Sequence, residues 1–173
     1  MTNFNPNPPP PLYPKGLTLY PNTMTIFIGA DHRGFDLKKI LKAHLVKKEY
    51  TVIDLGSHEL VPDDDYPDIA YAVAKKVSEN PQENRGILLC GSGVGVSVVA
   101  NRLTGVRAAL VSSVEQAKAS RTDDDANILA IAADFTSTVA AKRLTDAWLN
   151  THFSHDERHH RRVKKTDSLF LKD

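Results

Sequence analysis

Gly86-Ile87-Leu88-Leu89-Cys90-Gly91-Ser92-Gly93-Val94-Gly95-Val96-Ser97 is the segment from which the architecture of this chain follows. It opens as a short apolar run, the pattern of a strand buried on both faces, and ends in the chain's only cysteine. Three glycines at alternate positions follow, and then a helix. Glycine lets a backbone approach a ligand closely, and amides left unpaired where a helix begins point toward anions. A thiol at such a strand end lies beside whatever the turn holds. The expected chemistry is on a small anionic metabolite.

The same strand-to-helix alternation extends in both directions. Upstream, Thr25 to Ala30 reads as a first strand. Leu37, Ile40, Leu41 and Leu45 then fall at helical spacing within a helix from Phe35 to Lys48. Tyr50 to Leu55 is a second strand, and a loop through Asp63, Asp64 and Asp65 leads to a helix with Ile69, Ala72, Val73 and Val77 on its inner face. Downstream, Ser97 to Leu103 lies in the helix after the glycines, Val106 to Val111 is a fourth strand, and Val114 to Ala119 is helical. Ile128 to Ile131 is a fifth strand, Ser137 to Asn150 a long helix, and the basic stretch Asp156 to Lys165 a final one. This alternation predicts an α/β fold of three layers, Rossmann-like, with a five-stranded parallel sheet and helices on both faces. Ligands in such sheets bind beyond the carboxyl ends of the strands, where the strand order reverses. Asp31-His32 and Cys90-Gly91-Ser92 both follow strands directly and should share that edge. The acidic run Asp123 to Asp125 precedes a strand near the presumed site.

At 173 residues and a formal charge of +1, the chain is long enough for one domain with its own core and carries no field that would recruit nucleic acid. Its apolar runs fall far short of the ~18 residues of a membrane span. A single cysteine allows no internal disulfide framework and suits a reduced, cytoplasmic setting. Residues 1–23, with Asn5-Pro6-Asn7-Pro8-Pro9-Pro10-Pro11, lack the apolar content to fold and are expected to form a disordered Pro-rich extension, leaving 24–173 as the domain.

The remaining motifs narrow the chemistry. Gly91, Gly93 and Gly95 do not fit the G-x-G-x-x-G dinucleotide fingerprint, and the loop lacks a P-loop lysine. What is left is a compact set of amides for one small anion. Asp31 suits a cap on the next helix, and His32 beside it a phosphate contact or proton relay. His155-Asp156-Glu157-Arg158-His159 lacks the zincin order of His followed directly by Glu, so no metal site is expected. Arg158 and Arg162 are spaced to share one helix face, fit either to clamp a phosphate or to pair with acidic neighbours.

In combination these segments resemble the type B ribose-5-phosphate isomerases, the family that also holds galactose-6-phosphate isomerase subunits. The resemblance runs from about Thr25 to Val163. It is carried by Gly29-Ala30-Asp31-His32-Arg33-Gly34-Phe35, Asp65-Tyr66-Pro67, Cys90 to Gly95, Ala100-Asn101-Arg102, Gly105 to Ala109, Asp125-Ala126-Asn127 and Arg158 to Val163. It implies an aldose–ketose isomerase for a phosphorylated sugar, working through a cis-enediolate without metal or organic cofactor. Cys90 aligns with the base of the cysteine-type members, and Val96 stands where other members carry a glutamate. The amides of Gly91, Gly93, Val94 and Gly95 align with the enediolate-binding loop, and Ser92 with a hydroxyl position in it. Asp31, His32 and Tyr66 align with sugar contacts, and Arg158 and Arg162 with phosphate contacts. The resemblance further implies a homodimer that shares its site between subunits.

One departure bears on the substrate. Asp123 and Asp124 occupy the positions of the His-Asn pair whose histidine is linked to furanose opening in the family. Ring opening needs proton transfer at the ring oxygen, which imidazole performs well near neutrality and an ionised aspartate performs poorly. Either Asp123 serves as a catalytic group with Asp124 as a substrate contact, or His32 takes over. Alternatively the substrate is an open-chain sugar phosphate such as a tetrose phosphate. A non-catalytic sugar-phosphate binder is the competing expectation from another class.

Overall fold

A computed structural model of the chain describes residues 24–169. β1 (Thr25–Ala30), β2 (Thr51–Asp54), β3 (Arg85–Cys90), β4 (Ala108–Leu110) and β5 (Ile128–Ala132) alternate with α1 (Phe35–Lys47), α2 (Tyr66–Glu79), α3 (Val94–Ala100), α4 (Val114–Thr122) and α5 (Thr138–Leu149). A short 3-10 turn, Ala133–Phe135, follows β5, and α6 (Glu157–Ser168) ends the described chain. All strand pairs are parallel, in the order β2-β1-β3-β5-β4.

Because side chains alternate across a strand, each strand feeds two cores. Ile87 and Leu89 of β3 join Leu41, Leu45, Ala117, Leu144 and Trp148 beneath α1, α4 and α5. Leu88 and Cys90 join Ala70, Val73, Val77, Val96 and Ala100 beneath α2 and α3. The helices that follow β1 and β3 therefore lie on opposite faces, which puts the switch point between the carboxyl ends of these neighbouring strands.

Several details differ from the sequence-based expectation, among them α3, which ends at Ala100 rather than running to Leu103, and β2, which covers only Thr51–Asp54. The inner face of α2 is Ala70, Val73, Ala74 and Val77, with Ile69 and Ala72 only half-buried. Ile69 still faces the sheet, since a Cβ on Gly29 of β1 would stand 2.7 Å from Ile69 and 2.9 Å from Val73. A Cβ on Gly86 of β3 would likewise stand 3.1 Å from Val73, so α2 settles on two strand glycines with its β-branched residues down. The fourth strand is also shorter than expected, because Arg107 turns its backbone N–H to the Asn127 side chain (2.8 Å) rather than into the ladder.

Candidate functional site at the carboxyl edge

Three loops meet at the switch point. In the first, the Asp31 backbone N–H donates to the Leu89 carbonyl at 3.3 Å, stitching the end of β1 to β3. Asp31 Oδ1 accepts from the amides of Arg33 and Gly34, each at 3.0 Å, which turns the chain into α1. Its carboxylate is buried, and Oδ2 has no hydrogen bond among the described residues. Asp31 thus holds the turn ahead of α1 rather than capping the helix, whose N-cap is Gly34 with no side-chain cap, and its second oxygen is left over.

The second loop is the glycine turn. Cys90 ends β3, 5% exposed, and its Sγ accepts from the Gly93 N–H at 3.1 Å. This bond fixes the thiol side chain toward the turn. Gly93 takes φ +73°, a left-handed conformation that costs a side-chain-bearing residue strain, and a Cβ there would strike Leu110 at 2.5 Å. Ser92 is exposed, its Oγ accepting from the Val94 N–H at 3.3 Å. Tyr66, first residue of α2, lays its ring against Gly95, where a Cβ would be 2.6 Å from the ring. Cys90, Ser92, the amides of Gly91 to Gly95, Asp31 and His32 thus occupy one edge, as the strand ends predicted, and Tyr66, named through the resemblance, joins them there.

Three partners there were not singled out from the sequence. Asp64 faces His32 and is the one member of the acidic run 63–65 to contact it. Arg33 pairs with Asp134 from the turn after β5, and the pair lies over Gly91, where a Cβ would meet Arg33 Nε at 2.6 Å and Asp134 Oδ2 at 2.8 Å. The Asp134 N–H also donates to the Gly91 carbonyl at 3.1 Å. No local pattern marks these residues, because their partners lie 32 and 101 positions away.

The other sequence candidates lie elsewhere, which corrects their placement. Ile128 pairs with Gly86 and Ala132 with Cys90, so the segment before β5 sits at the amino edge of the sheet. Four residues of strand, roughly 13 Å at about 3.3 Å each, separate that edge from the thiol. Asp123 caps α4 at this edge, with its carboxylate 3.7 Å from Nδ1 of the buried His159, and Asp124 uses its carbonyl to accept from Arg107 Nε at 3.0 Å. Within one chain, therefore, Asp123 and Asp124 do not approach Cys90.

The amino edge is organised around Asp125, which takes φ +48°. Its carboxylate pairs with Arg107 at 2.8 Å and Arg121 at 2.7 Å. Arg107 also reaches Asp167 at 3.2 Å, tying α6 to the body. Burial, followed by the repulsion of Arg121, draws the guanidinium of neighbouring Arg85 down to about 10. Asn127, fully enclosed, accepts from the Arg107 N–H and donates to the Gly105 carbonyl. The Asp-Ala-Asn motif is structural here. On α6, Arg158 and Arg162 are exposed and form no ion pair among the described residues, which removes the salt-bridge alternative within the chain. A cavity of about 1020 Å³ opens between α6 and β4, lined by Arg102, Arg107, Asp124 and Asp167 among others, and does not include Cys90. Among the described residues no cluster of His, Cys, Asp and Glu is arranged to hold a metal, and no helix is long and apolar enough to cross a membrane.

The fold and this edge define a three-layer parallel α/β protein with a thiol and an amide loop at its switch point, the layout of a small-metabolite enzyme. Comparison with known proteins makes the class specific. Residues 26–166 match the family model for ribose/galactose isomerases. The chain is 43% identical over 143 residues to a probable ribose-5-phosphate isomerase B of Mycoplasma genitalium, covering 83% of this chain and 93% of that one. It is 35% identical over 130 residues to a D-erythrulose-4-phosphate isomerase of Pectobacterium atrosepticum, covering 75% and 85%. The crystal structure of Mycoplasma genitalium ribose-5-phosphate isomerase B with bound ribulose 5-phosphate superposes with a TM-score of 0.83 at 41% identity, covering 85% of this chain and 96% of that one. The chain belongs to the ribose/galactose isomerase family. It is accordingly a sugar-phosphate isomerase, an intramolecular oxidoreductase by reaction class.

Proposed function

We propose that the protein interconverts ribose 5-phosphate and ribulose 5-phosphate, or a close analogue, with Cys90 as the proton-transferring base. The observation that carries this is the Cys90 thiol, held by the Gly93 amide inside a glycine loop at the switch point. The Cys90 thiolate takes the proton from the carbon beside the carbonyl, giving a cis-enediolate and a neutral thiol. The thiol then returns the proton to the neighbouring carbon. In this reading the loop amides of Gly91, Gly93, Val94 and Gly95 stabilise the oxygen on which charge develops, as oxyanion holes do, with those of Gly93 and Val94 exchanging their bonds to Cys90 Sγ and Ser92 Oγ for the substrate oxygen. The Ser92 hydroxyl, in the same reading, shuttles the proton between the two sugar oxygens. Asp31, His32 and Tyr66 hold the sugar.

The phosphate site comes from a second copy of the chain. Arg158 and Arg162 stand free on α6, away from the thiol, and Asp123 and Asp124 lie at the same distant edge. The surface beside the thiol is apolar and uncovered, with Val94 and Val98 of α3 about half exposed and Leu110 on the edge strand β4. A symmetric pair places each copy's α6 against the other's carboxyl edge and covers that surface.

A second substrate class is favoured by two facts. Asp123 stands where ring opening would call for an imidazole, and a tetrose-phosphate isomerase is among the relatives. A tetrose phosphate has no free terminal hydroxyl for the usual furanose and needs no ring opened. The test is turnover of ribose 5-phosphate beside erythrulose 4-phosphate, with Cys90→Ala as the control. Loss of about 10³-fold or more in the variant supports the thiol mechanism. Turnover of the tetrose alone assigns the substrate to the open-chain class. Full activity in Cys90→Ala rejects the thiol as base, and binding of both sugars without turnover supports the non-catalytic binder.

A further inference from the structure

The loop from β2 to α2 brings a carboxylate to the carboxyl edge that the proposed mechanism does not use. Asp64 Oδ1 accepts from the His32 backbone N–H at 2.8 Å and lies 2.8 Å from His32 Nδ1. A carboxylate oxygen only accepts, so the proton between them sits on Nδ1. The ring is then held in one orientation and one tautomer, with Nε2 as its outward nitrogen, unpartnered among the described residues. Exposure agrees with that order, the Asp64 side chain being 12% exposed and that of His32 33%.

The loop is built to deliver this oxygen. At its start the buried Lys38 donates to Asp54 Oδ1 at 2.9 Å and to the Ser57 carbonyl at 2.7 Å, and Gly56 N–H also donates to Asp54. At its end Asp63 takes φ +61°, a left-handed turn unfavourable for a residue with a side chain, and thereby swings Asp64 back over β1. Tyr66 and α2 follow at once. Local strain of this kind persists where surrounding contacts hold it, and the neighbouring Asp64 makes two such contacts with His32.

We infer that Asp64 is a positioning residue for the reaction, locking His32 so that Nε2 meets an oxygen of the bound sugar phosphate. The inference rests on the isomerase assignment proposed above. A carboxylate behind a histidine fixes the tautomer and orientation of the ring, and removal of such a partner typically costs about 10- to 100-fold in activity. Nothing in the sequence separates Asp64 from Asp63 and Asp65. Only the fold does so.

The test is a double-mutant cycle on the full-length protein with ribose 5-phosphate and erythrulose 4-phosphate, combining Asp64→Ala and His32→Ala. Asp64→Ala is expected to lower kcat/KM about 10- to 100-fold, and the double variant to lose no more than His32→Ala alone. Losses that multiply, or an Asp64→Ala protein with wild-type kinetics, overturn the inference. Should Asp64→Ala fail to fold, Asp64→Asn takes its place in the cycle. A second readout needs no turnover: imidazole ¹⁵N shifts should show His32 protonated at Nδ1 in the wild type and a mixture of tautomers in the variant. A wild type mixed in tautomer overturns the inference by itself. Absence of turnover with every sugar phosphate instead defeats the isomerase assignment, and the role of Asp64 falls with it.

Discussion

Gly91, Gly93 and Gly95 occur as one repeat in the sequence but answer three different physical demands. Gly93 needs a positive φ, Gly91 lies under the Arg33–Asp134 pair, and Gly95 leaves room for the ring of Tyr66. The sequence shows that a close approach is needed and is silent on what approaches, since each neighbour arrives from another loop. Gly95 offers the cleanest test of the site, because an added methyl would fall 2.6 Å from the Tyr66 ring and the ring can yield. Gly95→Ala is expected to raise KM about tenfold, ~1.4 kcal/mol of binding, with a smaller change in kcat. Steady-state kinetics checks this, and an unchanged KM would remove Tyr66 from the substrate contacts. Cys90 was legible as a site candidate because it is the only cysteine and ends a strand. Its hydrogen bond from Gly93 was not, since it depends on the left-handed turn.

Strands and helices were legible to within a few residues because their burial follows simple periods. β5 and, after Arg85, β3 are apolar and buried on both faces, and α5 has Leu144 and Trp148 one turn apart against the sheet. Elements whose ends are set by tertiary hydrogen bonds were less so, as β4 shows, where the Asn127 side chain takes the Arg107 amide. The ties between elements escaped altogether. Gly91 continues the alternation of β3, so its missing side chain would point to the face opposite Cys90, and Arg33 with Asp134 therefore support the glycine turn from behind. The pair joins the loops after β1 and β5 across the one after β3. An exposed ion pair contributes only about 0.2–1 kcal/mol to stability, so its removal should show in the chemistry before the melting point. Asp134→Ala is expected to lower kcat about five- to tenfold, ~1–1.4 kcal/mol in barrier, while KM and Tm change little. Exchanging the partners, with Arg33→Asp and Asp134→Arg together, should recover most of that loss. A kcat equal to wild type in the single variant would leave the pair a surface contact.

At the scale of the molecule, the residues of the proposed site fall into two groups at opposite edges of the sheet. The thiol, amide loop and sugar contacts lie at the carboxyl edge, whereas Asp123, Asp124, Arg158 and Arg162 belong to the amino edge and α6. The Asp125 network holds Arg107 in place, and Arg107 pairs with Asp167 of α6, so a swing of α6 across the sheet would break that pair and uncover the buried His159. The two-fold pair proposed above would bring the groups together without moving either. The consequence can be measured by subunit complementation. Cys90→Ala and the double variant Arg158→Ala with Arg162→Ala should each be nearly inactive as purified proteins. Mixed under conditions that exchange subunits, half of the dimers are hybrids, and each hybrid carries one site with both an intact thiol and intact arginines. Activity should rise to about a quarter of wild type in an equimolar mixture. A mixture no more active than its parts would mean that thiol and arginines act in the same chain, and that α6 must reach its own carboxyl edge by a rearrangement the Asp125 network opposes.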